Sequence, residues 1–377
     1  MASVLEDSAR LAARPSGAAL GSDRLDRHAS LVSIALFAAS LALVLPLLGR
    51  QSIWFDEAVT MSNVQQPYDL GRYLRADATP PLYPLVLHGW LQIFGTSLGA
   101  ARALSALASA ASVVALFQLG RRFVDARSGL FAAALLLTSR CQTFFAHEAR
   151  PYALVLLLAI ASFHVLLSLL ERVTRRRLIL LCLIDAALLY THYVAVFALV
   201  AQALAALPGR GVRPRVFLRI VGAQIAAVLL VAPLALYVWA NLWPLPMAGW
   251  LPPPTWRGIP NELAKLTGSG SLLVLEAALV TAATAAAALR PGGGAHASAA
   301  LAPRTAVVLV SWSVVPLVAA FAASAIEPVF LGRYLLYVTP GWYLLVGAAA
   351  ARLPVGRTLA AALIGALCAL SLAGAWR

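Results

Sequence analysis

The sequence predicts an all-α polytopic membrane protein with about eleven transmembrane helices. Two observations carry the prediction. Hydrophobic residues make up 61% of the chain and charged residues only 12%, with a mean hydropathy of +0.83, far from the roughly 25% charge of a soluble domain. The apolar residues also fall into runs of helical length, separated by short basic clusters. The net charge of +14 does not point to nucleic acid, because such clusters between apolar runs are what topology control by cytoplasmic Arg and Lys produces.

Residues 1–28 are polar and of mixed charge and read as a disordered cytoplasmic tail. Residues 29–377 read as a single transmembrane domain. Its first run, 31–49, ends without a small-residue cleavage signature and reads as a retained signal anchor. Further runs lie at 101–119, 128–145, 151–170, 178–191, 193–207, 217–240, 271–289, 305–324, 334–351 and 358–376. Each approaches the length that crosses a core of about 30 Å at about 1.5 Å per residue.

Alternating spans put the Arg clusters at 10–27, 121–127, 172–177, 210–219, 290–304 and 352–357 on one side, the cytoplasm. The stretch 178–207 tests this assignment, since one tilted helix would separate two four-Arg clusters. A break near Thr191-His192-Tyr193 keeps both inside.

The loops left outside are 50–100, the neighbourhood of Arg140 to Tyr152, Thr191 to Tyr193, 241–270 and Ile326 to Tyr334. Loop 50–100 holds Asp56, Glu57, Asp69 and Asp77, in a chain with 15 acidic residues. It also holds Leu82 to Phe94, a short amphipathic helix expected to lie in the interface. Loop 241–270 sets three Trp among five Pro, a pattern excluded from regular helix, and reads as a mobile lid. The triple Gly at 292–294 reads as a cytoplasmic linker. Cys141, Cys182 and Cys368 match no metal or disulfide spacing.

Taken singly, the polar motifs are ordinary. Phe55-Asp56-Glu57 suits a helix N-terminus, where carboxylates are favourable. Neighbours on a helix point about 100° apart, so the two carboxylates are expected to do different work. His147-Glu148-Ala149-Arg150-Pro151-Tyr152 has proline where helices begin. Glu327 to Tyr334 puts Arg333 on the outer side, against the charge bias, where it requires an anionic partner. What the motifs share is one membrane face.

Together with Asp77, Thr79-Pro80-Pro81-Leu82-Tyr83, Tyr190-Thr191-His192-Tyr193 and Gly332-Arg333-Tyr334, these motifs resemble GT-C membrane glycosyltransferases of the family 39 type. That group includes protein O-mannosyltransferases and the aminoarabinose transferases that modify lipid A. The resemblance covers Ser52 to Gln202 best, 326–345 less, and 241–310 not at all. It implies a GT-C fold in a bacterial plasma (inner) membrane, a donor sugar on a polyprenyl phosphate, and transfer on the periplasmic face to a lipid, glycan or protein acceptor. Membrane lipids are expected partners and nucleic acid is not. No cofactor is implied. Relatives often carry His where this chain has Thr79, so a metal role of that His does not carry over and metal dependence stays open.

On this reading Asp56 is the general base that takes the acceptor proton. Glu57, also placed in the catalytic group, orients an Arg or a backbone amide beside it. Arg150 and Arg333, with Arg102 third, hold the lipid phosphate by charge-assisted pairs. Asp77, Tyr83, His147, Glu148, Tyr152, His192 and Tyr334 are assigned to substrate. One carboxylate and a directly displaced phosphate fit inversion at the anomeric carbon. Two alternatives stand beside the enzyme: a lipid-linked sugar transporter or flippase, in which Asp185 and Glu276 would be the mid-membrane ionisable groups, and a noncatalytic subunit of the same fold.

Overall fold

The computed structural model describes residues 25–65, 70–77, 79–209, 211–242, 254–289 and 301–375. The named elements are helical throughout. After α1 (Ala29–Val44) and a 3-10 turn (Leu45–Leu47), three short helices cross the first loop: α2 (Phe55–Gln65), α3 (Leu70–Asp77) and α4 (Leu82–Phe94). There follow α5 (Leu98–Phe123), α6 (Ala126–Thr138), α7 (Arg140–Ala146), α8 (Tyr152–Glu171) and α9 (Arg175–Thr191). A 3-10 turn (Tyr193–Ala195) leads into α10 (Val196–Ala205) and α11 (Pro214–Leu242). The chain continues through α12 (Ile259–Thr267), α13 (Gly270–Ala288), α14 (Pro303–Ala323), a 3-10 helix (Gly332–Val338), α15 (Thr339–Arg352) and α16 (Arg357–Ala375).

Each of the eleven apolar runs is occupied by helix. Among the described residues eight helices are long and apolar enough to cross a membrane, and a ninth if α6 and α7 form one span bent by 59°. The protein is a multi-pass membrane protein. The difference from eleven comes from α9, whose first turn is three arginines, and from the short apolar helix ending in α10. The chain does break where the charge pattern requires it: α9 stops at Thr191 and His192 is extended (φ −158°, ψ 125°).

Two observations revise the reading of the ends and of loop 241–270. Residues 25–27 of the expected tail are helical, and Asp26 pairs with Arg121 at 3.1 Å; residues 1–24 lie outside the described residues. In loop 241–270 the proline-rich part 243–253 also lies outside them, but α12 follows as regular helix, begun by Pro260 in its first turn and stopped by Gly268 in the left-handed region. Proline at a helix start is tolerated because the N–H it lacks is unpaired there anyway. The exclusion of helix therefore does not extend to α12.

Small residues hold the centre together. A Cβ on Gly120 of α5 would lie 2.5 Å from the Gly129 Cα of α6, so the backbones meet there as small residues allow in membranes. Trp312 of α14 is fully buried, stacks on Phe163 at 4.0 Å and donates to the Tyr337 carbonyl at 2.7 Å. Tyr337 in turn donates to the Val194 carbonyl at 2.9 Å. These bonds fix the 3-10 helix that carries Arg333.

The ends of the bundle differ in chemistry. Arg122 pairs with Glu171 and Arg352 with Asp125, and Arg304 donates to the Leu170 and Gly211 carbonyls. Arg102, near the start of α5, lies about 30 Å away from Arg121 at about 1.5 Å per residue. Asp56 and Glu57 of the first loop lie at that second end, Glu57 paired with Arg102.

Candidate active site

The site begins with α2, whose first turn holds Asp56 and Glu57. Their side chains diverge. Glu57 is fully buried; its Oε1 accepts from Arg102 Nε at 2.8 Å and from the Ala149 N–H at 2.9 Å, and its Oε2 accepts from Arg102 Nη2 at 2.7 Å. Arg102 also donates to the carbonyls of Leu48, Gln51 and Ser52 at 2.7, 3.0 and 3.2 Å. A guanidinium has five N–H groups, and all five are engaged. This pair ties α2, α5, the end of the first span and the turn before α8 into one block.

That geometry corrects one expectation: Arg102 has no donor left for a phosphate. Glu57 holds an Arg and a backbone amide and has no face open to substrate. Both hold the frame. Asp56, one residue earlier, keeps a third of its side chain exposed and faces Arg333, with Nη1 at 3.4 Å from Oδ2.

Arg150 lies beneath. Its Nη1 donates to the Asp56 carbonyl at 3.1 Å and to Thr60 Oγ1 at 2.8 Å, and Thr60 itself donates to the Asp56 carbonyl at 3.0 Å. Arg333 lies over the Tyr334 ring at 5.4 Å, and His192 packs against Tyr334 at 4.9 Å and Tyr152 at 6.1 Å. Burial, then Arg150 and Arg333, push His192 down to about 3, so the ring is neutral. Its Nδ1 accepts from the Val194 N–H at 3.3 Å, which leaves the proton on Nε2.

Glu148 is buried, and burial with the nearby Glu57 pushes its carboxyl up from 4.5 to about 7. It lines a cavity of about 590 Å³ together with Trp54, Arg140, Phe144, Lys265 and Arg333. A cavity of about 690 Å³ lies against the same helix α12 and shares Glu262 and Lys265.

Sequence reasoning missed Glu262. Its carboxylate accepts the Gly332 N–H at 2.6 Å and pairs with Lys265 at 2.5 Å, fixing the residue before Arg333. A Cβ on Gly332 would sit 2.9 Å from that oxygen. The only signal in the sequence was the glycine before the arginine.

Two expected substrate ligands are turned away. Tyr83 is buried with its hydroxyl 3.0 Å from Ser105 Oγ. His147 is buried with both ring nitrogens on carbonyl oxygens, Thr143 at 2.6 Å and Val44 at 3.1 Å. Both support the wall of the site. Tyr152, by contrast, is buried against Phe145 at 4.7 Å with its hydroxyl on Arg150. Asp77 ends α3, and its side chain lies outside the described residues. The structure brings together Asp56, Arg150, Arg333 and Tyr334, with Glu148 sharing the cavity wall of Arg333. Among the described residues no three His, Cys, Asp or Glu side chains converge to hold a metal ion.

The architecture is that of a GT-C-fold membrane protein. Residues 78–239 match the family model of dolichyl-phosphate-mannose-protein mannosyltransferases. The fold is similar to that of apo ArnT from Cupriavidus metallidurans (TM-score 0.60, 16% identity, 92% of this chain and 63% of that one). The same ArnT bound to undecaprenyl phosphate matches with a TM-score of 0.54 at 14% identity, over 86% of this chain and 60% of that one. An Archaeoglobus fulgidus oligosaccharyltransferase tethered to an acceptor peptide matches at 0.53 and 12% identity, over 93% of this chain and 55% of that one. The chain thus spans less than two thirds of the length of these structures. No curated protein matches it. These likenesses bear out the resemblance to GT-C membrane glycosyltransferases of the family 39 type.

Proposed function

We propose that this protein is a glycosyltransferase that moves a hexosyl or pentosyl group from a polyprenyl-phosphate donor to an acceptor hydroxyl, at the outer face of a bacterial plasma membrane. The observation that carries the proposal is the 3.4 Å approach of Arg333 to Asp56, with Arg150 beneath on the Asp56 carbonyl. A partly exposed carboxylate and two guanidiniums then meet at one end of an apolar bundle. The undecaprenyl phosphate held by the ArnT relative supports the donor class.

In this mechanism the acceptor oxygen attacks the anomeric carbon as Asp56 takes its proton. The carbon–oxygen bond to the lipid phosphate breaks, and the phosphate keeps the electron pair. Arg333 and Arg150 stabilise the charge that grows on it. One displacement by one base inverts the anomeric centre. Glu148 lies near enough to the cavity for its protonation to affect donor binding.

The transporter alternative loses support from the two mid-membrane carboxyls. Asp185 accepts from Ser162, which accepts from Gln202 at 2.7 Å, and Gln202 accepts from Gln224 at 3.0 Å. Glu276 accepts from Trp342 at 2.6 Å. Both carboxyls join helices.

The test is transfer of labelled sugar from polyprenyl-phosphate donors by purified protein beside Asp56→Asn. Transfer by the wild type alone supports the enzyme and its base. Lipid translocation without transfer would contradict it.

A further inference from the structure

A third cavity lies apart from Asp56 and Arg333. Its volume is about 240 Å³, and Leu43, Leu47, Arg50, Arg140, Phe144 and Leu372 are among its walls. No Asp or Glu lines it. Arg50 and Arg140 are both exposed, and neither side chain has a hydrogen-bond or ion-pair partner among the described residues.

The setting makes this pair unusual. The charge pattern puts both arginines at the outer ends of their spans, where Arg is disfavoured. Arginine at such a depth is held by an anionic group. The apolar half of the cavity comes from α1 and α16, which are among the spans most open to lipid: 11% and 22% of their apolar windows are buried, against 78% for the span that includes α15. The cavity therefore offers cations at the headgroup level and aliphatic walls at the level of the chains. Free phosphate would use only the first of these.

We propose that this cavity is a binding site for the phosphate of an anionic phospholipid, with Arg50 and Arg140 on the phosphate and the acyl chains along Leu43, Leu47 and Leu372. The site does not depend on the proposed sugar transfer. Arg140 and Phe144 also wall the 590 Å³ cavity, so the bound lipid fixes one side of that cavity.

The experiment uses the full chain in nanodiscs of phosphatidylcholine with a minor share of phosphatidylglycerol, and counts retained lipid by native mass spectrometry. The wild type retains phosphatidylglycerol preferentially. Arg50→Gln with Arg140→Gln lowers that preference about twenty-fivefold, two contacts of about fivefold each. Arg50→Lys with Arg140→Lys keeps most of it, and Arg333→Gln leaves it unchanged. Undecaprenyl phosphate retention follows Arg333 instead. Three results would overturn the proposal: equal preference in the double Gln variant, a parallel loss of undecaprenyl phosphate in that variant, or displacement of the lipid by inorganic phosphate as readily as by phosphatidylglycerol. Melting temperatures unchanged in all three variants show that a loss is not unfolding.

Discussion

Arg102 and Glu57 form a buried fork across 45 residues of sequence: Nε and Nη2 meet the two carboxylate oxygens at 2.8 and 2.7 Å. The remaining donors of Arg102 close on three carbonyls of the segment between the first span and α2. Asp56 is thereby held at the mouth of the site by a neighbour whose own carboxylate is engaged by Arg102 and the Ala149 N–H. Removing one partner of such a pair leaves an uncompensated buried charge and costs about 3–5 kcal/mol. Arg102→Ala and Glu57→Ala are accordingly expected to lower the melting temperature in detergent strongly, while Asp56→Asn leaves it close to that of the wild type. Thermal melts of the three purified variants check this, and equal melts throughout would contradict the assignment.

The two carboxylates show what the sequence discloses and what it does not. Their helical spacing separates their roles before any coordinates are known. It does not say which one turns inward, because the partner that decides this, Arg102, stands on another helix. The fold was legible for a simple reason: in lipid every backbone group is satisfied within its own helix, so apolar runs reveal the spans. Tyr83 and His147 misled because their motif positions are real, yet Ser105 and the carbonyls of Thr143 and Val44 take their polar atoms. Glu262 was invisible for the converse reason, since α12 belongs to a region judged by its prolines.

Glu262 supplies a second prediction. Its bond to the Gly332 N–H holds the backbone just before Arg333. Glu262→Gln keeps an acceptor oxygen there and is expected to retain most activity. Glu262→Ala is expected to raise the donor KM about tenfold, the effect of roughly one lost hydrogen bond to a charged group. Steady-state kinetics of both variants separate a positioning role, which Gln rescues, from a need for negative charge, which it does not.

Glu148 gives the pH dependence. Its carboxyl rises from 4.5 to about 7 in the folded protein, so the folded state holds a proton that the unfolded state releases between these values. Its contribution to stability therefore falls as pH rises from 4.5 to about 7. Ionisation also adds a negative charge near the donor phosphate proposed here. The donor KM is expected to rise as pH passes about 7, and Glu148→Gln is expected to flatten that rise and to melt higher than the wild type above it. A KM that falls with rising pH would give Glu148 the opposite role.

Arg333 and Arg150 are expected to differ from each other. Arg333 lines the open cavity, whereas Arg150 is buried and bonded to the Asp56 carbonyl and Thr60. Arg333→Lys keeps charge but loses the fork, and it is expected to weaken undecaprenyl phosphate binding with little change in melting temperature. Arg150→Lys is expected to lower both. Lipid retention and thermal melts, measured on the same preparations, distinguish the two.

The most direct measurement is single-turnover transfer of labelled sugar from a polyprenyl-phosphate donor by wild type and Asp56→Asn, with folding checked by the melt. With Asp56 as the base, the wild type transfers sugar and the variant falls by about a hundred- to ten-thousandfold, the range for loss of a general base, with donor binding preserved. Equal transfer by both proteins would contradict that role and take the proton from the acceptor to another group.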